Sequence, residues 1–293
     1  MEHQLWKAIV DWLKRFGKPR RGKQTYSDAD IVKVYLWSVL HDRSVRWACD
    51  PTNWPLHERH WRKPSQTRMS RRLRSPSVLA LLQRMEEELL LSKAGKGELF
   101  WTLDGKPLPI GGCSKDRQAG YGRAAGGKAK GYKIHVICGS NGSLAAWRLA
   151  PMNVDERVMA GRMLRTAAVQ GYVVADSNYD SNRLHRICDQ RGNLQLVVPR
   201  RYGPGRGHGH CPQAVGRMRS KELLENPRPY FGKRLLADRS DIERYFGRLT
   251  SWGGGLTHLP PWARTYRRVH RWVQAKLILE RLKRLVKSTT CAV

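Results

Sequence analysis

The stretch Gly171–Leu184, GYVVADSNYDSNRL, decides the fold of this chain. It contains the apolar run Tyr172–Ala175, which is too short for a helix and rich in β-branched residues, so it predicts a buried central strand. The polar residues Ser177–Ser181 that follow are typical of a turn and of a helix N-cap. The pattern predicts a helix that begins near Asn182.

Asp176 lies where the predicted strand ends and the chain turns toward the helix. Ligands of open α/β sheets bind at this position, and a carboxylate there is suited to a hard divalent cation. Asp180, four residues further on, is the reserve candidate for the same role. The alternative interpretation is that Asp176 only caps the following turn, which is an ordinary use of Asp at a strand end.

The composition indicates a globular protein with a polyanionic partner. The 293 residues are 40% hydrophobic and carry a formal net charge of +31, from 55 Lys and Arg against 24 Asp and Glu. The hydrophobic content excludes a disordered basic tail, and the charge favours nucleic acid as the partner. No apolar run is long enough to span a membrane, and the charged, amphipathic start is unlike a secretory signal.

The cysteine pattern points to a reducing compartment. The six cysteines are scattered along the chain and form no CxxC pair, so we expect no disulfide framework. The expected location is the cytoplasm, and no membrane partner is expected.

Helical spacing dominates the first hundred residues. Apolar residues recur at this spacing from Leu5 to Phe16, and a long helix is predicted over Val78–Ser92. Between them, Gln66–Arg74 predicts a short helix dense in Arg, with two interpretations. It is either the recognition helix of a helix-turn-helix or a basic helix that packs on a core domain. Its candidate DNA-binding residues are Thr67, Arg68, Arg71 and Arg72.

Strand patterns begin at Glu98 and predict an α/β fold. The predicted order is βββαβαβ, in which Gly111–Gly131 and Arg200–Lys233 are basic, Gly-rich loops. Two amphipathic helices, Asp238–Trp252 and Tyr266–Lys287, complete the chain. The predicted strands are Leu99–Leu103, Tyr132–Cys138, Ser143–Leu149, Tyr172–Ala175 and Leu194–Val198, with helices at Val154–Ala168 and Asn182–Gln190.

Three carboxylates are the candidates for chemistry. Asp104 ends the first predicted strand of this region and Asp176 ends the fourth, so both emerge at one sheet edge if these strands are neighbours. Glu243 flanks the buried face of the helix Asp238–Trp252 and is placed to lean over that edge. Three such acids can hold two Mg²⁺ or Mn²⁺ ions, an arrangement that serves phosphodiester chemistry.

The sequence resembles the DDE transposases of bacterial insertion sequences of the IS4/IS5 type, which have a ribonuclease-H-like catalytic core. The resemblance covers roughly residues 98–255 and rests on the blocks WTLDGKPLP, KGYKIHVIC, LAPMNVDE, VVADSNYDS and RSDIERYFGRL. It implies metal-dependent DNA cleavage at element ends and transfer of the freed 3′-OH into target DNA. By resemblance, Asp104, Asp176 and Glu243 form the metal-binding triad, and Arg239 lies near the scissile phosphate.

The chain departs from the family pattern at four positions. Leu236 and Thr250 replace the Tyr and Lys of the four-residue IS4 signature, and Asp155-Glu156 replaces the usual His-Asp after the third strand. The short spacing between Asp176 and Glu243 favours an IS5-like form without a large β insertion. These departures concern the subgroup more than the class.

Several further signals have two interpretations each. Gly122–Lys128, GRAAGGK, fits the start of a P-loop, but it precedes a strand and lacks the Ser or Thr, which favours a basic hairpin that touches DNA. His208, His210 and Cys211 lack a partner pair for zinc. Arg239 and Glu243 have the spacing of a plain helix-surface pair. The remaining candidate phosphate contacts are Lys106, Lys128, Lys130, Lys133, Arg200 and Arg201.

The sequence therefore predicts a transposase in three parts. Residues 1–97 form a helical, basic DNA-binding region; residues 98–255 form the ribonuclease-H-like domain, with a basic loop insertion at 200–235; residues 256–293 form a basic C-terminal helix. The expected partners are terminal repeats and target DNA, and the resemblance implies a homodimer. The alternatives are a nucleic-acid-binding protein without catalysis and a metal-dependent nuclease without strand transfer.

Overall fold

The computed structural model describes residues 2–17, 25–91, 97–111, 114–140, 142–201, 212–226, 230–237, 239–250, 256 and 258–290. Contacts within the chain divide it into two units. The first combines Met1–Ser92 with Leu249–Leu256 and Pro260–Val293, and the second combines Lys93–Arg248 with Thr257–Leu259. Within the described residues, none of the helices has the length and apolar content that crossing a membrane requires.

The secondary structure follows the predicted change from helices to a mixed α/β arrangement. The helices are α1 (Glu2–Phe16), α2 (Asp28–Leu40), α3 (Val45–Ala48), α4 (Gln66–Arg72), α5 (Pro76–Glu86), α6 (Glu156–Thr166), α7 (Asn182–Arg191), α8 (Val215–Glu225), α9 (Tyr230–Ala237), α10 (Ser240–Thr250) and α11 (Tyr266–Thr290). The strands are β1 (Phe100–Pro109), β2 (Gly120–Ala124), β3 (Gly127–Gly139), β4 (Leu144–Pro151), β5 (Gly171–Val174) and β6 (Leu194–Val197).

The first unit is a helical assembly in which serine side chains begin several helices. Ser27 forms a capping box with Asp30, whose backbone N–H donates to the Ser27 hydroxyl at 3.1 Å while the Ser27 N–H donates to the Asp30 carboxylate at 2.8 Å. Ser65 caps α4 through the N–H of Arg68. Helix α11, which the sequence set apart as a C-terminal segment, packs in this unit against α1, α2 and α5.

Several tryptophan side chains pack together in the core of the first unit. The ring centroids of Trp6 and Trp37 are 4.7 Å apart, and those of Trp37 and Trp54 are 4.9 Å apart. The Lys63 ammonium lies 4.0 Å from the Trp61 ring centroid and donates to the Glu58 and Trp61 carbonyls. The segment between α3 and α4, which contains Trp54 and Trp61, is therefore held by aromatic packing rather than by a regular α-helix.

The second unit is built on a mixed sheet of six strands. Strand β1 pairs antiparallel with β3 on one side and parallel with β5 on the other, and β5 pairs parallel with β6. Strands β2 and β4 both pair with β3. The predicted mixed α/β sheet flanked by helices is confirmed. The strands β1 and β5 are neighbours in it, which is the condition under which the sequence places Asp104 and Asp176 at one edge.

Three details of the predicted order are wrong. Strand β1 continues through Asp104 to Pro109, because its ladder with β3 supplies hydrogen bonds despite the Gly and Pro residues there. The predicted loop Gly111–Gly131 contains β2 and the start of β3, so the order is ββββαβαβ and Asp176 follows the fifth strand. The predicted loop insertion at 200–235 contains α8 and most of α9.

The sheet lies between two helical layers. Alternate residues such as Trp101, Leu103 and Val173 pack with Met163 of α6 and Leu184 of α7, and we refer to this side as the α6–α7 face. On the opposite side, Val174 and Val197 pack with Leu235 of α9 and with Leu223 of α8, which defines the α8–α9 face. Strand side chains alternate between faces, so each residue of the site is assigned to one layer by its position.

Two glycines with positive φ give a matched test of this architecture. Gly171 has φ +84° at the start of β5, and a Cβ there would lie 2.4 Å from the carbonyl oxygen of Leu99. Gly192 has φ +73° after α7, and a Cβ there would meet nothing within 4 Å. We expect Gly192→Ala to lower the free energy of unfolding by about 1 kcal/mol, the cost of backbone conformation alone. Gly171→Ala should cost at least about 2 kcal/mol more, because backbone must also move.

Urea denaturation of the two variants measures this difference. Equal losses of stability would contradict the close parallel approach of β1 and β5 that the structure shows.

Candidate active site

Asp104 and Asp176 lie at equivalent positions on neighbouring parallel strands. The β1–β5 ladder pairs Phe100 with Tyr172 and Thr102 with Val174, and each aspartate is two residues beyond the last of these pairs. By alternation, both side chains belong to the α8–α9 face. The parallel register therefore brings the two carboxylates to the same level of the sheet, as the sequence predicted for neighbouring strands.

Asp104 is held in an environment that disfavours its charge. Burial, together with the charges of Asp176 and Glu156, raises its pKa from 3.8 to about 6. The N–H of Gly105 donates to the carboxylate at 2.7 Å and lowers the pKa, as does the charge of Arg239. This combination of burial and like charge is typical of carboxylates that work in pairs or hold a cation.

Asp176 combines a capping role with its place beside Asp104. Its carboxylate accepts from the backbone N–H of Asn178 at 2.9 Å and from the Asn178 side chain at 3.2 Å. These bonds fix the short 3₁₀ turn Ser177–Tyr179 that follows the strand. The capping that the alternative interpretation assigned to Asp176 is thus present, and it orients the carboxylate that approaches Asp104.

Asp180, the reserve candidate, has a different partner. Its buried carboxylate accepts two hydrogen bonds from the Arg217 guanidinium, both at 2.7 Å, and one from the backbone N–H of Arg201 at 3.2 Å. Burial acts to raise its pKa, but these bonds and the Arg217 charge outweigh burial and hold the pKa below its usual value. Asp180 therefore joins α8 to the turn after β5 and is already paired with a cation.

Glu156 and Tyr179 lie near the aspartates and were not among the predicted site residues. Glu156, the first residue of α6, forms an ion pair with Lys133 and acts electrostatically on Asp104. The Tyr179 hydroxyl is buried and has no hydrogen-bond partner among the described residues, and burial together with Glu156, Asp104 and Asp176 raises its pKa well above 10. The acidic pair Asp155-Glu156 was the available signal, but acids at a helix start are common.

Glu243 and Arg239 occupy the segment at the start of α10. Arg239 lies one residue before α10 and acts on Asp104 electrostatically, whereas the Glu243 side chain is exposed on the first turn. Among the described residues, no three His, Cys, Asp or Glu side chains form a group that could hold a metal ion. The structure thus associates Asp104 with Asp176 and Arg239, and it does not bring Glu243 into a three-acid cluster with them.

The sequence matches the family described as transposase DDE domain over residues 96–279, more than half of the chain. The chain belongs to the DDE transposase family. The matched range includes both aspartates, Arg239 and Glu243, and no curated protein matches the sequence. The predicted transposase class is confirmed, DNA is the substrate that this class implies, and the family is in general dependent on divalent metal. The IS4/IS5 subgroup stays a prediction.

The candidate DNA-binding residues of this transposase differ in how accessible they are. On α4, Thr67, Arg68 and Arg71 are exposed, whereas Arg72 pairs with Asp28 and donates to the Tyr26 carbonyl. The first three remain candidates, and Arg72 holds α4 against the start of α2. The stretch Gln66–Arg74 also includes the Arg74 side chain, which donates to the Ser70 carbonyl.

In the second unit, several candidate cations of the transposase already have partners. Lys133 pairs with Glu156, and Arg200 pairs with Glu225 on α8. Lys106 is half-buried with its ammonium 5.7 Å from the Phe246 ring centroid, whereas Lys128 and Arg201 are exposed and Lys130 is half-buried. The last three remain candidates for phosphate contacts.

Two weaker sequence signals have different outcomes. The GRAAGGK stretch forms a β-hairpin, so the P-loop interpretation is wrong because a strand and not a helix follows it. His208, His210 and Cys211 lie outside the described residues.

The Asp180–Arg217 pair predicts a large loss of stability when it is broken. Arg217→Ala leaves a buried carboxylate without its cation, and we expect the free energy of unfolding to fall by about 3 kcal/mol. Arg200→Ala is the matched control, because its pair with Glu225 is exposed to solvent and contributes about 1 kcal/mol or less. Chemical denaturation at pH 7 measures both, and equal small effects would contradict a structural role for Asp180.

The raised pKa of Asp104 predicts a pH-dependent effect of its neutralisation. The folded protein binds a proton at Asp104 up to about pH 6, whereas an unfolded Asp releases it near pH 3.9. The contribution of protonated Asp104 to the free energy of unfolding is therefore fully present below pH 3.9, and it is lost as the pH rises through 6. Relative to wild type, metal-free Asp104→Asn should gain up to about 3 kcal/mol between pH 4 and pH 8.

Differential scanning of both proteins across this pH range checks the sign. A stability difference that stays constant with pH, or that falls, would contradict the electrostatic description of Asp104.

Proposed function

We propose that this transposase cleaves DNA at the ends of an insertion sequence and transfers the freed 3′-OH into target DNA. The observation that carries the proposal is the parallel β1–β5 register, which sets Asp104 and Asp176 side by side on one face of the sheet. A pair of carboxylates on adjacent strand ends, in a chain with net charge +31, suits a polyanionic substrate that reacts beside a cation.

The residues present fit divalent metal. The pKa of Asp104 is raised partly by the negative charges of Asp176 and Glu156, and a divalent cation between the aspartates would relieve this repulsion. Oxygen ligands are those that Mg²⁺ and Mn²⁺ prefer, and two ions would need few protein ligands besides water and phosphate. Metal bound there would activate the attacking oxygen and stabilise the leaving oxygen of the phosphodiester.

The residues of the α10 segment complete the proposed site. Arg239 is placed to hold a phosphate oxygen near Asp104, on which its charge already acts. Glu243 is proposed to join the aspartates as the third acid when DNA is bound, since it is exposed on the first turn of the same helix. Asn178 keeps the Asp176 carboxylate oriented, and Lys133 pairs with Glu156, whose charge acts on Asp104.

The proposed reaction has two phosphoryl-transfer steps. In the first, water attacks the phosphorus at the element boundary, the bond to the 3′ oxygen breaks, and the products are a 3′-OH and a 5′-phosphate. In the second, this 3′-OH attacks a phosphorus of target DNA and displaces the target's own 3′ oxygen. No covalent bond between protein and DNA forms in either step.

The first unit is proposed to bind the terminal repeats. Exposed Thr67, Arg68 and Arg71 on α4 support contacts to DNA through this helix, with Lys128, Lys130 and Arg201 as additional phosphate contacts in the second unit. A homodimer that holds two element ends is proposed on the family resemblance. The proposed location is the bacterial cytoplasm, where the element DNA lies.

Neutralising Asp176 or Glu243 should abolish cleavage without weakening DNA binding. We expect Asp176→Asn and Glu243→Gln to nick element-end DNA at less than about one hundredth of the wild-type rate in Mg²⁺ or Mn²⁺, because metal binding supplies several kcal/mol to the transition state. Affinity for the same DNA should stay equal or rise slightly, since each change removes a negative charge. Asp11→Asn, an exposed change on α1, should keep wild-type cleavage.

The products separate the proposed function from its alternatives. Boundary cuts and joined products from wild type, absent from both acid variants, support the transposition reaction. Cuts without joining under all conditions would favour a nuclease without strand transfer. Tight binding by all proteins with no cutting by any would contradict a catalytic role.

A further inference from the structure

The hairpin formed by β2 and the start of β3 has two unlike faces. The register pairs Tyr121 with Lys130 and Arg123 with Lys128, so these four side chains project on one side. The opposite side carries only Gly and Ala, namely Gly120, Gly122, Ala124, Gly127, Ala129 and Gly131. This alternation of large and small residues is typical of a strand, but the sequence analysis interpreted the glycines as a loop.

The Gly and Ala side is needed for close packing. A Cβ at Gly122 would lie 2.5 Å from the Met152 carbonyl oxygen, and one at Gly120 would lie 1.9 Å from the Asn153 side chain. The hairpin backbone therefore rests directly on the segment that follows β4. Because this side is fixed by contact with Met152 and Asn153, the Tyr121 side is held in a defined direction.

The other side is a cationic surface with an aromatic centre. Tyr121 is 59% exposed, and the ammonium groups of Lys128 and Lys130 lie 5.8 Å and 6.0 Å from its ring centroid. Lys130 also donates to the Ser114 carbonyl at 3.4 Å. In the part of the chain that the structure describes, no carboxylate forms an ion pair with Arg123, Lys128 or Lys130. The hairpin therefore presents an exposed aromatic ring beside three cations that no described carboxylate neutralises.

This surface is on the same side of the sheet as the aspartates. Strand β3 pairs with β1 in unbroken register from Gly131 to Gly139, and Val136 lies directly opposite Asp104. Lys128 and Lys130 are separated from Val136 by an even number of residues, so all three belong to the α8–α9 face. Lys130 is six residues from Val136, which places Tyr121 roughly 20 Å along the strand from the level of Asp104.

We propose that Tyr121 stacks on an unpaired base of the DNA substrate while Arg123, Lys128 and Lys130 contact the phosphates beside it. An aromatic ring with adjacent cations is the combination that binds single-stranded DNA without sequence preference. At a spacing of about 3.4 Å per stacked nucleotide, the stacked base lies about six nucleotides from the reacting phosphate. The inference depends on the proposed function in one respect, namely that the bound DNA is the strand that reacts.

Binding without metal tests the hairpin separately from cleavage. The full chain is titrated in EDTA against a DNA duplex and against the same duplex with a single-stranded extension, by fluorescence anisotropy at several salt concentrations. Tyr121→Ala should weaken binding of the extended DNA about tenfold, the scale of one stacked base, and change duplex binding less than about twofold. Tyr121→Phe should bind like wild type, because stacking uses the ring and not the hydroxyl.

The cations are tested by the salt dependence. Arg123→Ala and Lys128→Ala should each lower the slope of log affinity against log salt by about 0.7 to 0.9, because one DNA phosphate is no longer neutralised in each variant. Two variants serve as controls: Tyr230→Ala removes another highly exposed tyrosine, and Arg162→Ala removes an exposed cation from α6, on the opposite face of the sheet. Both should leave the preference for extended DNA unchanged.

The outcomes distinguish this inference from the proposed function. Wild-type affinity of Tyr121→Ala for both DNAs, or equal losses in Tyr121→Phe and Tyr121→Ala, would overturn the stacking role even if the protein cleaves DNA. A selective loss for extended DNA in Tyr121→Ala supports it even if the protein fails to cleave. All variants are expected to retain the wild-type circular dichroism spectrum, because the changed side chains project from the packed surface.

Discussion

The parallel pairing of β1 with β5 is the constraint on which the rest of the site depends. Three consecutive residue pairs from Phe100–Tyr172 to Thr102–Val174 fix the register, and the two aspartates follow at equal distance. A shift of one residue would move Asp176 to the opposite face of the sheet and separate the carboxylates. The sharp entry at Gly171, with φ +84°, and the buried core on both faces hold this register.

The carboxylates of the second unit differ in their partners and in their pKa values, and these differences indicate different roles. Asp180 is buried against Arg217 and Glu156 is paired with Lys133, so each has a cation of its own. Asp104 accepts from the Gly105 N–H, and burial together with neighbouring negative charge raises its pKa to about 6. The excess of negative charge around Asp104 and Asp176 is the feature that metal binding would use.

Much of this arrangement could be predicted from the sequence, because apolar periodicity marks buried elements. Strand β5 and helix α7 both followed from local pattern, whereas the pairing of the two aspartate-bearing strands was only a condition of the prediction. Strand β2 could not be recognised from the sequence, because Gly120 and Gly122 stand at alternate positions where a strand usually has apolar side chains. These glycines allow the backbone to pack directly against Met152 and Asn153. The partner of Asp180 lies 37 residues away in a segment that was expected to be irregular. Glu156 acts on Asp104 only because α6 packs on the sheet, a tertiary relation with no local signal.

Iron-directed cleavage of the backbone tests the central claim most directly. Fe²⁺ bound in place of Mg²⁺, with ascorbate and peroxide, generates radicals that cut the chain close to the metal. The account predicts fragments that end near residues 104 and 176 together, suppressed by excess Mg²⁺ and missing from Asp104→Asn. Fragments confined to other parts of the chain, or cuts near residue 176 that persist in Asp104→Asn, would contradict a shared metal site built on the β1–β5 register.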